Sequence, residues 1–172
     1  MKLYFGNAVT TATTLMILAL LECLRIIGGE KENLSYGAEG PSRGVEAEQS
    51  YLREQEDSVN NVQYVARSGG EIIGTASLRR KHKRMRHRGE LAICLKKAWW
   101  GSGAASAMME AILAFARENG VEQVNLEVRS DNTRAIRLYE KYGFYRLCGF
   151  PAFFKIDGEY IPFDLMNFDL GR

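Results

Sequence analysis

The sequence has little cysteine, with three such residues in 172. Cys23, Cys94 and Cys148 are odd in number and far apart, which excludes a complete disulfide framework and a CxxC metal site. We therefore expect a reduced, cytoplasmic protein without a metal. The net charge is also small, at +2, so the chain as a whole does not attract nucleic acid. Hydrophobic residues make up 46%, which suits one globular domain over residues 1–172.

A long apolar run is missing as well. The uncharged stretch Ala8 to Leu21 has fourteen residues, whereas about twenty are needed to cross a bilayer. Charged residues follow it at Glu22 and Arg25, where a secretory signal would have a cleavage site with small residues. The stretch therefore predicts a buried first helix and no membrane association.

Hydrophobic periodicity and turn residues divide the chain into strands and helices. Period-two patterns predict strands, apolar residues three and four apart predict helices, and Asp157-Gly158 predicts a hairpin turn. The predicted order, β-α-α-β-β-β-α-β-α-β-β, is typical of a mixed α/β domain with an antiparallel front half and a strand-helix-strand crossover. Strands are predicted at Leu3–Val9, Val62–Ala66, Glu71–Leu78, Glu90–Lys96, Val124–Val128, Phe144–Ile156 and Glu159–Leu170. Helices are predicted from Thr10 or Thr11 to about Gly28, at Val45–Glu56, from Ala104 to about Gly120, and at Asn132–Tyr142.

A strand, a glycine loop and a helix start follow one another between Leu91 and Ser106. Free backbone N–H groups at a helix N-terminus, with the helix dipole behind them, bind anions such as pyrophosphate. Gly101 and Gly103 would let a phosphate approach the main chain closely. A tight turn between a strand and a helix has the same pattern, so both interpretations stay open at this point.

A second motif follows a predicted strand and reads Arg129-Ser-Asp-Asn-Thr-Arg-Ala-Ile-Arg-Leu-Tyr-Glu-Lys-Tyr-Gly-Phe144. It resembles the "DNxxAxxLYxKxGF" signature of the GNAT acetyltransferase superfamily, and Trp100 to Ala105 is similar to the acyl-CoA loop of that family, "[QR]xxGx[GA]". The run from Phe154 to Met166 resembles bacterial members near the ribosomal-protein acetyltransferase branch. Trp100 departs from the pattern, since the family usually has glutamine or arginine there. The phosphate contacts of the family are chiefly main-chain amides, which this departure leaves in place.

The resemblance implies a single GNAT-type α/β domain whose mostly antiparallel sheet has a splayed central strand pair. It also implies acetyl-CoA as cosubstrate, no metal, and direct attack by a primary amine in a ternary complex. The pantetheine arm would pair with the backbone of Cys94 and Leu95, and Asn132 would contact the cofactor, cap its helix, or do both. The pyrophosphate would lie on Gly101, Ser102, Gly103, Ala104, Ala105 and Ser106.

Tyr139 matches the tyrosine that protonates the departing thiolate in the family. A phenol with an ordinary pKa near 10 stays protonated at neutral pH and can donate to a thiolate. The alternative is a core aromatic on the apolar stripe of its helix. The attacking amine must also lose a proton, and Glu90, Glu127 or water are the candidate acceptors, with Glu90 placed first.

The densest charge run is the predicted connector Arg79 to Arg88, which contains both histidines. It suits RNA phosphates, an acidic acceptor or a solvated hairpin tip, and the lack of interleaved aromatics favours the tip over a nucleic-acid partner. We expect the acceptor to be a small-molecule or peptide primary amine that is cationic, because the region of the first two helices is acidic at Glu30, Glu32, Glu39, Glu46 and Glu48. A homodimer is compatible with the resemblance. The alternative function is a non-catalytic module that senses acyl-CoA or docks on RNA.

Overall fold

The computed structural model describes residues 4–7, 14–30, 33–56 and 61–171. The order of strands and helices predicted from the sequence is confirmed. The predicted caps Thr10 and Thr11 lie outside the described residues. The strands are β1 (Tyr4–Asn7), β2 (Asn61–Ser68), β3 (Glu71–Arg80), β4 (Arg88–Leu95), β5 (Gln123–Arg129), β6 (Tyr145–Ile156) and β7 (Glu159–Asp169). The helices are α1 (Thr14–Glu30), α2 (Val45–Glu56), α3 (Ala104–Glu118) and α4 (Thr133–Lys141).

The strands form one sheet with the order β1-β2-β3-β4-β5-β7-β6, in which only β4 and β5 are parallel among the described strands. A parallel pair needs a crossover, and α3 provides it. Strands β3 and β4 pair from Gly74–Leu95 to Arg80–Gly89. Strands β4 and β5, in contrast, pair only where Arg88–Glu90 meets Gln123–Asn125. Beyond these three positions the two strands diverge, which confirms the predicted splayed pair.

Two hydrophobic clusters lie on opposite faces of the sheet. The larger one joins α3 and Tyr139 of α4 to one face, and the smaller one joins α1 and Leu52 of α2 to the other face. Strand side chains alternate between faces, so Leu91 and Leu95 of β4 pack into the larger cluster while Cys94 contacts the smaller one. Glu90 shares the face of Cys94 and therefore lies on the side of α1.

Helix α1 confirms the prediction of a buried first helix. Ile17, Leu20 and Cys23 are at most 2% exposed and pack on the sheet. No helix among the described residues is both long enough and apolar enough to span a membrane.

The basic segment Arg79 to Arg88 was predicted as a connector, and the structure corrects its bounds. Arg79 and Arg80 extend β3, and Arg88 begins β4, so the turn is confined to residues 81–87. The reason is the register, which places Arg79 opposite Glu90 and lets the two side chains pair across the strands at 3.4 Å. A short 3-10 helix, Lys83–Met85, closes the turn.

Candidate active site

A cavity of about 580 Å³ opens where β4 and β5 diverge. Its size is within the range of ligand pockets in proteins. Of the residues predicted from the sequence, the cavity is lined by Glu90, Cys94, Leu95, Gly101, Gly103, Ala105, Ser106, Asn132, Tyr139 and Glu127. Ser102 and Ala104 belong to the same loop but do not line the cavity. The divergent strands therefore bring together two motifs that are distant in the sequence.

The loop before α3 offers backbone amides to the cavity. Gly101 and Gly103 have φ angles of +78° and +89°, and a Cβ at either position would have no described atom within 4 Å. Gly103 is the N-cap of α3, and its carbonyl accepts the first helical bond, from Ala107 at 3.0 Å. The amides of Ala105 and Ser106 precede that bond and donate to no group among the described residues. The loop thus combines open space with free donors at a positive helix end, which suits a phosphate.

Ser102 stabilises this loop through two hydrogen bonds of its hydroxyl. Its hydroxyl donates to the carbonyl of Trp99 at 2.7 Å and accepts from the amide of Ala104 at 3.3 Å. Both contacts lie within the loop itself. Ser102 therefore helps to fix the conformation in which the neighbouring glycines face the cavity.

Trp100 occupies the position where the sequence departs from the family pattern. Its indole Nε1 donates to the carbonyl of Leu95 at 3.0 Å, and the Arg134 guanidinium lies 5.0 Å from the ring centroid. The first contact holds the loop against the end of β4, and the second is a cation–π interaction with α4. Trp100 thus places an arginine from another helix at this side of the cavity.

Sequence reasoning missed the cationic side of the cavity. Arg134, Arg137 and Lys141 recur at intervals of three and four residues, which places them on one face of α4, and all three line the cavity. None of them pairs with a carboxylate within the described ranges. Their spacing was visible in the sequence, and only the position of α4 beside the α3 N-terminus shows that they face the same space.

Asn132 acts as the N-cap of α4. Its Oδ1 accepts a hydrogen bond from the amide of Ala135 at 3.2 Å, and the residue also lines the cavity. The cap is one of the two roles that the sequence suggested. The contact with a cofactor stays a prediction.

Tyr139 is 8% exposed and packs between α4 and the sheet, with its ring 5.9 Å from that of Phe144. Burial raises the pKa of its phenol to about 12. Every fully buried side-chain oxygen and nitrogen among the described residues has a hydrogen-bond partner. The Tyr139 hydroxyl has no hydrogen-bond partner among these residues, so it is not fully buried, and we place its accessible side in the cavity that the residue lines. Tyr139 therefore presents an uncommitted proton donor there.

Tyr142, three residues later, shows the contrast. Its hydroxyl donates to Glu110 at 2.8 Å and lies 3.2 Å from the carbonyl of Ser106. It is absent from the cavity lining. Of these two tyrosines of the motif, only Tyr139 has a hydroxyl directed to the candidate site.

Glu90 and Glu127 lie on the diverging strands with opposite electrostatic environments. Glu90 accepts from Lys81 at 2.5 Å and from Arg79 at 3.4 Å, and the Lys81 hydrogen bond lowers the pKa of its carboxyl. Glu127 has no ion pair in the described part of the chain. Partial burial, together with the negative charge of Glu90, raises the pKa of the Glu127 carboxyl. Of the two groups, Glu127 is thus the stronger base near neutral pH.

The acidic residues noted in the region of the first two helices have varied surroundings. Glu30 lines the cavity and accepts from the amide of Lys97 at 2.6 Å. Glu48 is 1% exposed and pairs with Arg43 at 2.8 Å, and Glu39 accepts from the amide of Gly37. Glu46 is exposed, and Glu32 lies outside the described residues. Of the acidic residues noted in the sequence, Glu30 therefore faces the site directly.

Comparison with known proteins gives the class to which this fold and cavity correspond. Residues 32–144 match the model of the Acetyltransferase (GNAT) family. This match covers more than half of the chain, and the chain belongs to that family. The structure also superposes on the acetyltransferase of the GNAT family from Streptococcus pneumoniae with a TM-score of 0.89 and 26% identity, over 98% of this chain and 99% of the other.

Two sequence relatives and one further structure complete the comparison. N-alpha-acetyltransferase RimI from Mycobacterium tuberculosis is 35% identical over 54% of this chain and 58% of its own length. L-amino acid N-acetyltransferase AaaT from Escherichia coli is 33% identical over 48% of this chain and 52% of its own. The chain thus spans about half the length of these relatives. The structure of yncA from Salmonella typhimurium, solved with acetyl-CoA, shares the fold at a TM-score of 0.83 and 16% identity, over 99% of this chain and 95% of that one.

Proposed function

We propose that the protein is an acetyl-CoA-dependent N-acetyltransferase, in which a primary amine attacks the thioester directly. The observation that carries this proposal is the uncommitted hydroxyl of Tyr139 in a cavity that begins at a glycine-rich helix N-terminus. The four anionic charges of the CoA nucleotide suit that helix end and the cations of α4. Acetyl-CoA and the amine would therefore meet between β4 and β5.

The cofactor half of the site would hold the pyrophosphate on the amides of Ala105 and Ser106. Glycines at 101 and 103 leave room for phosphate oxygens against the backbone. The edge of β4, with Cys94 and Leu95, would accompany the pantetheine arm, and Asn132 would contact it from α4. These roles support the assignment of acetyl-CoA as the cosubstrate.

The chemistry needs one proton to leave the amine and one to reach the sulfur. The amine nitrogen forms the new bond to the acetyl carbon, and the carbon–sulfur bond then breaks. Glu127, directly or through water, takes the amine proton, and Tyr139 supplies a proton to the departing thiolate. The high pKa of Tyr139 keeps its proton in place before reaction, and burial raises the basicity of a thiolate in the same cavity as well. Exchange with solvent then restores both groups.

The cavity is lined by carboxylates as well as by the cations of α4. We assign the part lined by Glu90 and Glu127, on the diverging strands, to the amine and call it the acceptor half. Carboxylates attract an ammonium from solvent, and Glu127 can then take its proton. Since one sequence relative is named as an L-amino acid N-acetyltransferase and the other as an N-alpha-acetyltransferase, we would screen amino acids and N-terminal amines first.

A screen of amines for acetyl-CoA-dependent thiol release tests the proposed activity. We expect release with amino-acid or peptide amines, a rate that falls as salt is added, and a rate that rises with pH toward the pKa of the amine. Binding of acetyl-CoA without thiol release for any amine would contradict the proposal and indicate a non-catalytic sensor. Acetylation of neutral acceptors alone, without a salt effect, would contradict the cationic acceptor and leave the transferase assignment intact.

The substitution Gly103→Val is expected to weaken acetyl-CoA binding at least tenfold, measured by calorimetry. A Cβ at Gly103 would have no described atom within 4 Å, and Gly103 lines the cavity, so we expect the valine side chain to occupy the space assigned to phosphate. Gly158→Val is the matched control, because Gly158 has φ +90°, equally open surroundings and a position in the β6–β7 turn. Backbone strain is thus similar in both variants. An unchanged Kd in folded Gly103→Val protein would contradict the phosphate site.

A further inference from the structure

The β3–β4 hairpin carries an unusual density of positive charge. Seven of the 23 lysines and arginines in the chain lie between Arg79 and Arg88. Four of these seven side chains already make hydrogen bonds or ion pairs within the protein. Arg79 and Lys81 pair with Glu90. Arg88 donates to Asn125, and Arg80 donates to backbone carbonyls. The remaining cations are Lys83, Arg84 and Arg86.

These three cations form an exposed surface at the tip, residues 82–87. Lys83, Arg84 and Arg86 are exposed, and they make no ion pair within the portion of the chain that the structure describes. The Debye length in physiological salt is about 8 Å, so charges this close in sequence act together on a passing ligand. The tip is therefore a local site for anionic groups on a chain whose net charge is nearly zero.

The tip also has a defined backbone conformation. The amides of Met85 and Arg86 donate to His82 and Lys83 at 3.1 and 3.2 Å, and the Arg80 guanidinium donates to the carbonyl of Arg86. Lys83 has a φ angle of +56°, a region that favours glycine. These contacts hold the exposed cations of the tip on one closed turn.

The hairpin adjoins the acceptor half of the cavity through one carboxylate. Glu90 lines the cavity and accepts from both Arg79 and Lys81 at the base of the hairpin. Arg86 and Arg84 lie four and six residues before Glu90, so their backbone is at most about 14 and 20 Å from that of Glu90, and nearer because residues 81–87 form a turn. An extended peptide covers such a distance with at most about six residues.

We infer that the acceptor is the N-terminal amine of a peptide or protein that has acidic side chains within about its first seven residues. Its ammonium group enters the acceptor half of the cavity, and its acidic side chains pair with Lys83, Arg84 and Arg86. This inference rests on the proposed function and narrows its substrate class. The contact of Glu90 with both the cavity and the base of the hairpin favours a peptide over RNA, since a peptide carries a primary aliphatic amine and acidic groups on one chain and an unmodified RNA strand has no such amine.

Two peptides with the same first three residues test the inference. One has glutamate and the other glutamine at positions four to seven. At low salt we expect kcat/KM for the glutamate peptide to be about tenfold higher, through a lower KM with similar kcat, because several exposed charge pairs each contribute modestly. The preference should disappear in Lys83→Gln/Arg84→Gln and remain in Arg117→Gln/Lys155→Gln, a matched loss of two exposed charges elsewhere.

The charge-reversed variant Lys83→Glu/Arg84→Glu should instead prefer a peptide with lysines at those positions. Fluorescence anisotropy of the same peptides, labelled at the C-terminus, tests the surface even if no amine is acetylated, which separates failure of this inference from failure of the proposed function. Equal rates and equal binding for the glutamate and glutamine peptides would overturn the inference. Salt-sensitive binding of single-stranded RNA that requires Lys83 and Arg84, without any peptide preference, would overturn it in favour of an RNA surface.

Discussion

Replacing Tyr139 with phenylalanine is expected to lower kcat about a hundredfold or more, the usual contribution of a general acid. The hydroxyl makes no hydrogen bond within the described residues, and Tyr139 lines the cavity, so its removal breaks no hydrogen bond seen in the structure. Its proposed role begins only when the thiolate forms, so the Kd for acetyl-CoA should stay within about twofold of the wild-type value. The measurement is a steady-state assay of thiol release, combined with calorimetry of acetyl-CoA binding.

The matched control for this variant is Tyr142→Phe. Tyr142 does not line the cavity, and its hydroxyl contacts Glu110 and the carbonyl of Ser106, whereas the amide of Ser106 is the group assigned to phosphate. Loss of the hydroxyl should therefore reduce stability modestly and leave kcat nearly unchanged. A drop in melting temperature without a change in turnover is the expected pattern for Tyr142. Wild-type turnover in Tyr139→Phe would show instead that Tyr139 serves only the core, as its packing against Phe144 allows.

The fold was predictable from the sequence because its local signals agree. Helix α2 has the predicted bounds, since a loop rich in glycine, serine and charge ends at Gly44, directly before Val45. The β6–β7 hairpin turns at Asp157-Gly158, as that dipeptide indicates. The limits of β3 and β4 were not predictable. A run of arginines is typical of a loop, and it can be assigned to a strand only when a cross-strand partner such as Glu90 is known.

Those residues of the candidate site that belong to a sequence motif were predictable. The environments that depend on the tertiary structure were not. The Gly101–Gly103 loop and Tyr139 follow from motifs, and both line one cavity. The different environments of Glu90 and Glu127 depend on Lys81, which reaches Glu90 only through the hairpin register. Single-sequence reasoning places carboxylates on strands, but it cannot say which of them a lysine neutralises.

The second large effect is expected for Glu127→Gln, which should lower kcat/KM by about a hundredfold or more at neutral pH. Glu127 must be deprotonated to accept the amine proton. Burial and the charge of Glu90 raise the pKa of Glu127, so the acid limb of the wild-type pH profile should lie above the ordinary range of a glutamate. Below that pKa the base is protonated and activity falls. In the glutamine variant this limb should vanish, leaving only the titration of the amine.

Glu90→Gln separates the two carboxylates. The ion pairs with Lys81 and Arg79 lower the pKa of Glu90, which makes it a weak base, and its negative charge is one cause of the raised pKa of Glu127. Removing that charge should shift the acid limb toward lower pH, because protonated Glu127 loses its stabilising neighbour, while turnover at high pH stays close to wild type. The opposite pattern, with the limb abolished in Glu90→Gln and retained in Glu127→Gln, would assign the base to Glu90. Retention of the limb in both variants would assign the proton transfer to water.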